Sequence, residues 1–317
     1  MTTQKNRIIL IAGPTASGKS ALAAGLAGTL SGTVINADAM QVYRDLPILT
    51  AQPDAALKAG VPHKLYECID PAEHFSAGKW LAQAKPAIET AWRNNIVPVL
   101  TGGTGMYFQS IIKGMADIAD TSLQLHEELQ KEIEYYGESL IRSRLAALDP
   151  EAAARIRPGD RQRLLRALEV VTATGKPLAE WQKAAPGGFL AQADIIPILL
   201  LPPRAELYTA CDRRMDGMMQ RGAREEVERL LARRLDAGLP SMKIIGVREI
   251  AAFLSGAQSL DAAINRAQQA TRNYAKRQIT WFKNQWLSNK IGFRRPVIFV
   301  DDFYRNDALS QIFELLR

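Results

Sequence analysis

With 317 residues, 47% of them hydrophobic and 23% charged, the chain is long enough for two domains and has the make-up of a globular protein in water. Its longest strongly apolar stretch, Ile195 to Leu201, is far too short to span a bilayer, and no signal-peptide pattern precedes the first apolar run. Cys68 and Cys211 lack metal-type spacing and His63, His74 and His126 are scattered, so the expectation is a cytoplasmic protein with reduced thiols and no structural metal.

In chain order, the run Arg7-Ile8-Ile9-Leu10-Ile11-Ala12 reads as a buried strand and Ala21 to Leu30 as a helix. Between them stands Gly13-Pro14-Thr15-Ala16-Ser17-Gly18-Lys19-Ser20, which matches the P-loop pattern G-x-x-x-x-G-K-[ST] in the context that motif requires. Its glycines permit backbone conformations that turn successive N–H groups inward at the positive end of a helix. Lys19 supplies a point charge for the outer phosphates, and Ser20 is placed to ligate Mg²⁺. A di- or triphosphate ligand follows.

The next strand, Thr33–Ala37, ends in Asp38 within Asn36-Ala37-Asp38-Ala39-Met40-Gln41-Val42-Tyr43-Arg44. The end of a second strand in such a sheet opens onto the ligand crevice, which puts Asp38 beside whatever reacts; an N-cap role is the alternative. The strand Val97–Thr101 runs into Thr101-Gly102-Gly103-Thr104-Gly105-Met106-Tyr107, a loop of N–H and hydroxyl donors where an NTPase usually carries a metal-binding carboxylate. A motor or switch role is disfavoured.

From about Asp120 to Gln192 the strands cease, and helical periodicity appears at Leu125–Tyr136, Leu140–Leu148 and Arg161–Thr174. Strands return at Ile195–Leu201 and Val297–Val300, and a long helix is expected from about Leu260 to Asn289. The predicted fold is therefore α/β: a P-loop NTPase-like parallel sheet flanked by helices, residues 1–118 and 193–317, carrying an all-helical insertion over 119–192. Eight basic residues against the single acid Asp261 lie between Asp261 and Arg295, enough to account for the whole net charge of +7. Such a stripe suits a polyanion, although a solvated helix face would look the same.

The set GPTASGKS, DAMQVYR, GGTGMY, Asp160 to Val170 (DRQRLLRALEV) and Tyr274 to Phe282 (YAKRQITWF) resembles the tRNA dimethylallyltransferase (tRNA isopentenyltransferase) family in order and spacing over nearly the whole chain. The resemblance implies transfer of a dimethylallyl group from dimethylallyl diphosphate to the exocyclic amine of the adenosine 3′ of the anticodon, in tRNAs reading codons that begin with U. Residues 13–20 would then hold a departing diphosphate, with Lys19 and Mg²⁺ on Ser20 stabilising its charge, and Asp38 would take the amine proton. Thr104 joins Asp38 and Lys19 as a catalytic candidate. Arg214 is the implied further diphosphate ligand, with neighbouring Arg213 and a plain surface charge as alternatives.

The same resemblance implies tRNA contacts at Asp38, Ala39, Met40 and Gln41, at Gly102, Gly103 and Thr104, and at Gln124. It adds Gln162, Arg163, Leu164, Leu165 and Arg166 in the insertion, and Lys276 and Arg277 on the long helix. Gln41 is expected to read the adenine edge. Leu164 and Leu165 are better read as packing, and Tyr274 and Trp281 are expected in the core. Arg272, Lys276 and Lys283 fall on one face of the long helix and Arg266 and Arg277 on another, and two basic faces suit RNA phosphates on one side and the diphosphate pocket on the other. Two departures concern the RNA side: Ala39 where the family usually has serine, and Ala119 and His126 where proline and arginine are common. A small-molecule kinase, a free-nucleotide isopentenyltransferase and a non-catalytic RNA-binding protein are the rival readings. The expected partners are the tRNA anticodon stem-loop and dimethylallyl diphosphate, with no membrane, and nothing demands more than a monomer.

Overall fold

The apolar runs assemble into one six-stranded sheet in a computed structural model that describes residues 6–116, 118, 121–184, 187–301 and 312. Ala119 and Asp120, invoked above, lie outside the described residues. The strands are β1 (Arg7–Ala12), β2 (Gly32–Asn36), β3 (His63–Lys64), β4 (Val97–Gly102), β5 (Asp194–Leu200) and β6 (Ile298–Val300), in the order β3-β2-β4-β1-β5-β6 with every pairing parallel. The central strands are apolar almost throughout because helices cover both faces of such a sheet. Ile9, Ile11, Val34, Val99, Ile196 and Ile198 pack against Leu22, Ala23 and Leu26 of one covering helix.

Connections between strands are helical: α1 (Lys19–Thr29), α2 (Ala55–Gly60), α3 (Ala77–Arg93) and α4 (Gly105–Lys113). Five helices follow without a strand, α5 (Leu123–Tyr136), α6 (Glu138–Leu148), α7 (Pro150–Arg155), α8 (Arg161–Thr174) and α9 (Leu178–Lys183). After β5 come α10 (Arg204–Gln220), α11 (Ala223–Ala232), α12 (Val247–Leu254) and α13 (Leu260–Phe282). The long helix is α-helical only to Phe282 and then widens into a π-turn, Lys283–Leu287. That turn delivers Trp286 to an edge-to-face cluster with Phe108, Phe282 and Phe293, which anchors the helix end to α4.

The chain divides into two compact units, Met1–Lys113 with Phe189–Arg317, and Gly114–Gly188. The second unit has its own core of Leu129, Ile133, Ile141, Leu145, Leu164, Leu165 and Leu168. Asp149 and Asp160 cap α7 and α8 by accepting from Ala152 N and Arg163 N, which punctuates the unit where its sequence places Pro150 and Gly159.

Candidate active site

Three loops that carry the motifs leave the carboxyl ends of three adjacent strands. Asn36 of β2 pairs with Thr101 of β4, and Gly102 of β4 pairs with Ala12 of β1, so Asp38, Gly103-Thr104 and the P-loop emerge side by side. Close approach demands the glycines here. A Cβ on Gly102 would stand 2.1 Å from Ala37 O, and one on Gly105 would stand 2.4 Å from the Trp281 ring.

In the P-loop, Ala16 and Gly18 take left-handed φ angles of 62° and 87°, the alternation that forms an anion-binding concavity. Ser17 Oγ is buried there without a hydrogen-bond partner among the described residues, as a donor awaiting an anionic ligand would be. Lys19 Nζ folds onto Pro14 O at 2.5 Å. Burial lowers its ammonium to a pKa of about 8, Asp38 offsets part of that shift, and Arg214 adds to it. Arg214 of α10 donates to Thr15 Oγ1 while Arg213 is exposed, so the geometry places Arg214 at the loop.

Asp38 caps no helix, since the first helix after β2 is α2. Its Oδ1 accepts from Met40 N at 3.0 Å, and its Oδ2 lies beside Gly103, where a Cβ would come within 3.4 Å. Asn36 orders this turn, accepting from Asp38 N and donating to Asp38 O and Leu65 O. Thr104 Oγ1 accepts from Ala39 N at 2.9 Å. Tyr66, Tyr107 and Tyr274 are all held well above the usual phenol range, by burial first and then by the charge of Asp38. These phenols stay protonated, and Asp38 is the carboxylate among the residues that line the adjoining cavity.

Asp38, Thr15, Arg214, Tyr274, Arg277 and Lys243 line one cavity of about 220 Å³. Most of its remaining lining is apolar and rich in methionine, with Met40, Leu49, Met215, Met218, Ile244 and Ile245 beside Thr50 and Thr271. A charged floor and an adaptable apolar wall fit a ligand with a diphosphate head and a short hydrocarbon tail.

Several expectations need correction. Tyr274 is a cavity residue, half-buried between Thr104 and Arg277, whose guanidinium sits 5.6 Å from its ring centroid. Trp281 is half-buried against Gly105 and borders an open groove with Asn273, Lys276, Arg277, Thr280, Asn284 and Gln285. Arg272 does not share the outward role of Lys276: it pairs with Asp212 of α10 at 2.5 Å, because the face it occupies packs on that helix. Gln41 spends both amide hydrogens on Thr50 O and Ala51 O, at 3.0 and 2.9 Å, so a base edge would meet only its carbonyl end.

Within the helical unit, Leu164 and Leu165 are 0% and 3% exposed, on the face of α8 that fills the core, so they are packing residues and not contact residues. Gln162 and Arg163 are exposed on the same helix, and Arg163 pairs with Asp160 at 3.2 Å. Arg166 donates to Thr121 Oγ1 and lies 3.5 Å from buried Glu169, which also accepts His126 Nδ1 at 2.6 Å. His126 thus has a partner inside this unit. Gln124 is exposed and donates to Glu128.

Two residues absent from the sequence reading complete the site. Gln278 of α13, 5% exposed, accepts from Thr15 N at 2.8 Å and donates to Gly103 O at 3.0 Å. Glu226 of α11 accepts from Ile48 N and Leu49 N at 2.7 and 2.9 Å, holding the segment whose Leu49 and Thr50 line the cavity. Burial raises the Glu226 carboxyl and the two amides oppose that rise. The readable signal in both cases was a polar residue inside an apolar helical stripe: Gln278 in line with Ala267, Thr271, Ala275 and Phe282, and Glu226 with Ala223, Val227 and Leu230.

A parallel sheet with a P-loop after its first strand, flanked by helices, defines the class as a P-loop-type α/β protein whose loop faces a carboxylate. A family model described as IPP transferase matches residues 41–285, and one described as isopentenyl transferase matches residues 6–61. The chain belongs to the IPP transferase family. It is 49% identical over 278 residues to the tRNA dimethylallyltransferase of Rhodospirillum centenum, covering 88% of each chain. It is also 49% identical over 279 residues to that of Phenylobacterium zucineum, covering 88% of this chain and 90% of the relative. Among solved structures it resembles the full-length tRNA isopentenylpyrophosphate transferase of Bacillus halodurans, with TM-score 0.68, 33% identity and coverage of 98% and 96%. A eukaryotic dimethylallyltransferase acting on tRNA matches with TM-score 0.83, 28% identity and coverage of 98% of this chain and 77% of that one.

Proposed function

We propose that this chain is a tRNA dimethylallyltransferase, which moves the dimethylallyl group of dimethylallyl diphosphate onto the exocyclic amine of the adenosine 3′ of the anticodon in tRNAs reading codons that begin with U. The observation that carries this reading is the single cavity in which Asp38 faces the anion-binding side formed by Thr15 and Arg214, beside an apolar wall. An aromatic amine is a weak nucleophile. Its attack on the allylic carbon forms the C–N bond as the C–O bond to diphosphate breaks, and Asp38 accepts the amine proton. Lys19, Arg214 and the loop amides take up the charge that grows on the leaving oxygen. Thr104 holds the turn after Asp38 through Ala39 N and so fixes where that carboxylate stands.

Among the described residues no cluster of three His, Cys, Asp or Glu side chains could cage a metal ion. Mg²⁺ would therefore be held by Ser20 and the diphosphate oxygens, an oxygen-poor protein site that suits this ion, which keeps its waters and binds with substrate phosphates. When bound, it would add charge stabilisation to the leaving group. A stacked adenine cannot reach the cavity, so the nucleotide must be extruded, with Lys276 and Arg277 exposed at the mouth to meet the backbone and Gln162, Arg163 and Arg166 offered by the helical unit. No helix of the described residues is long and apolar enough to cross a membrane, and the reading places the protein in the cytoplasm with its tRNA.

The test is transfer of label from radiolabelled dimethylallyl diphosphate and Mg²⁺ to an anticodon stem-loop and, separately, to AMP. Label on the RNA alone is the expected result. Label on AMP would make the chain a free-nucleotide enzyme, and label on neither would end the reading.

A further inference from the structure

The parallel ladder between β1 and β4 ends at the pair Ala12 and Gly102. Beyond it the carboxamide of Gln278 supplies the next rung, accepting from Thr15 N at 2.8 Å on one side and donating to Gly103 O at 3.0 Å on the other. The amide's orientation is settled by its partners, since a backbone N–H only donates and a carbonyl only accepts. Both bonds join residues remote in sequence, 263 and 175 positions apart. Space is closed around the rung: a Cβ on Gly103 would stand 2.1 Å from Gln278 Nε2.

One buried amide therefore touches the loop that holds the diphosphate and the loop that flanks Asp38. Thr15 also receives Arg214, so the cation on the leaving group depends on the same anchored residue. A side chain needed only to fill this stripe of α13 could be apolar like its neighbours Ala275 and Phe282, without needing two long-range partners.

We infer that Gln278 is a positioning residue for prenyl transfer, whose amide sets the separation of the donor loop from the Asp38–Thr104 loop; this rests on the reading under Proposed function. Each substrate is gripped by its own loop, so removing the rung leaves binding of either one largely intact. What is lost is the register between leaving group, allylic carbon and proton acceptor, where a displacement near 1 Å costs on the order of 10²-fold in rate.

The experiment measures single-turnover transfer to an anticodon stem-loop at saturating donor, with wild-type enzyme as the reference. Gln278→Leu is expected to slow transfer about 100-fold while both substrate dissociation constants move less than about 3-fold. Because Gln278 and Thr104 act through one loop, Gln278→Leu combined with Thr104→Val should be no slower than the slower single variant. Gln278→Glu provides the second arm. A protonated glutamate restores both bonds, so the rate of this variant relative to wild type should rise as pH falls through its carboxyl pKa.

A Gln278→Leu rate within a few-fold of wild type, multiplying losses in the double variant, weakened donor binding with an unchanged saturated rate, or a pH-independent ratio for Gln278→Glu would each overturn the inference. If Gln278→Leu does not fold, the Gln278→Glu ratio decides alone. Wild-type enzyme that transfers nothing to the stem-loop overturns the functional reading and this inference together, which separates that failure from the others.

Discussion

The two units handle their functional side chains in opposite ways. In the sheet-containing unit, Asp38 is held by Met40 N, and Thr104, Arg214 and Gln278 are tied to neighbouring loops by bonds between residues far apart in the chain. In the helical unit, Gln162 and Arg163 stand on the outer face of a helix whose inner face is core, held by little beyond their own helix turn. The first arrangement costs conformational freedom once, at folding, and suits a reaction that tolerates little displacement. The second leaves long side chains free to settle on a nucleic-acid backbone, and suits affinity more than rate. Substitutions in the two units should therefore separate in their kinetic signatures.

The largest effect should come from Asp38→Ala. Transfer at saturation should fall by about 10³-fold, or roughly 4 kcal/mol of transition-state stabilisation, with both substrates still bound in equilibrium titrations. Loss of binding as well would make Asp38 a fold residue and erase the contrast. In the helical unit the comparable disruption is a core one: Leu164→Ala should cost about 3 kcal/mol of that unit's stability, read as an earlier thermal transition. An unchanged transition with weakened RNA binding would instead restore Leu164 to the contact surface.

A pH titration probes the anion loop alone. The Lys19 pKa is lowered by burial to about 8 in the free protein, and a bound diphosphate must raise it. Between the two values binding takes up a proton, so donor affinity should be level below about pH 8 and fall by up to tenfold per pH unit above it. Calorimetry in two buffers of different ionisation enthalpy would show that uptake. Folding carries the opposite sign. A lysine whose native pKa lies below its unfolded value costs stability below pH 8, and that cost is relieved as pH rises toward 10.5.

The smallest effect belongs to Arg163→Ala, which should raise the RNA KM a few-fold, reduce the salt dependence of binding, and leave the saturated rate alone. A fall in the saturated rate would mean that the helical unit takes part in the chemistry. Together these three variants and the pH titration test whether the molecule divides as its hydrogen bonding suggests.

Local sequence was sufficient for whatever depends on neighbours in the chain. The P-loop, the strands Ile8–Ala12, Thr33–Ala37, Val97–Thr101 and Ile195–Leu201, the helices of the insertion and the place of Asp38 just after the second strand were all legible, because strand–loop–helix geometry and hydrophobic period are short-range properties. The buried rung of Gln278, the clamp of Glu226 on the segment at Ile48 and Leu49, and the diversion of Arg272 to Asp212 were not. Nor was the choice of Arg214 over Arg213. Each of those depends on which helix face meets which loop, a decision made by packing between segments many residues apart. Periodicity says that a side chain points inward; only the tertiary structure supplies the partner waiting there.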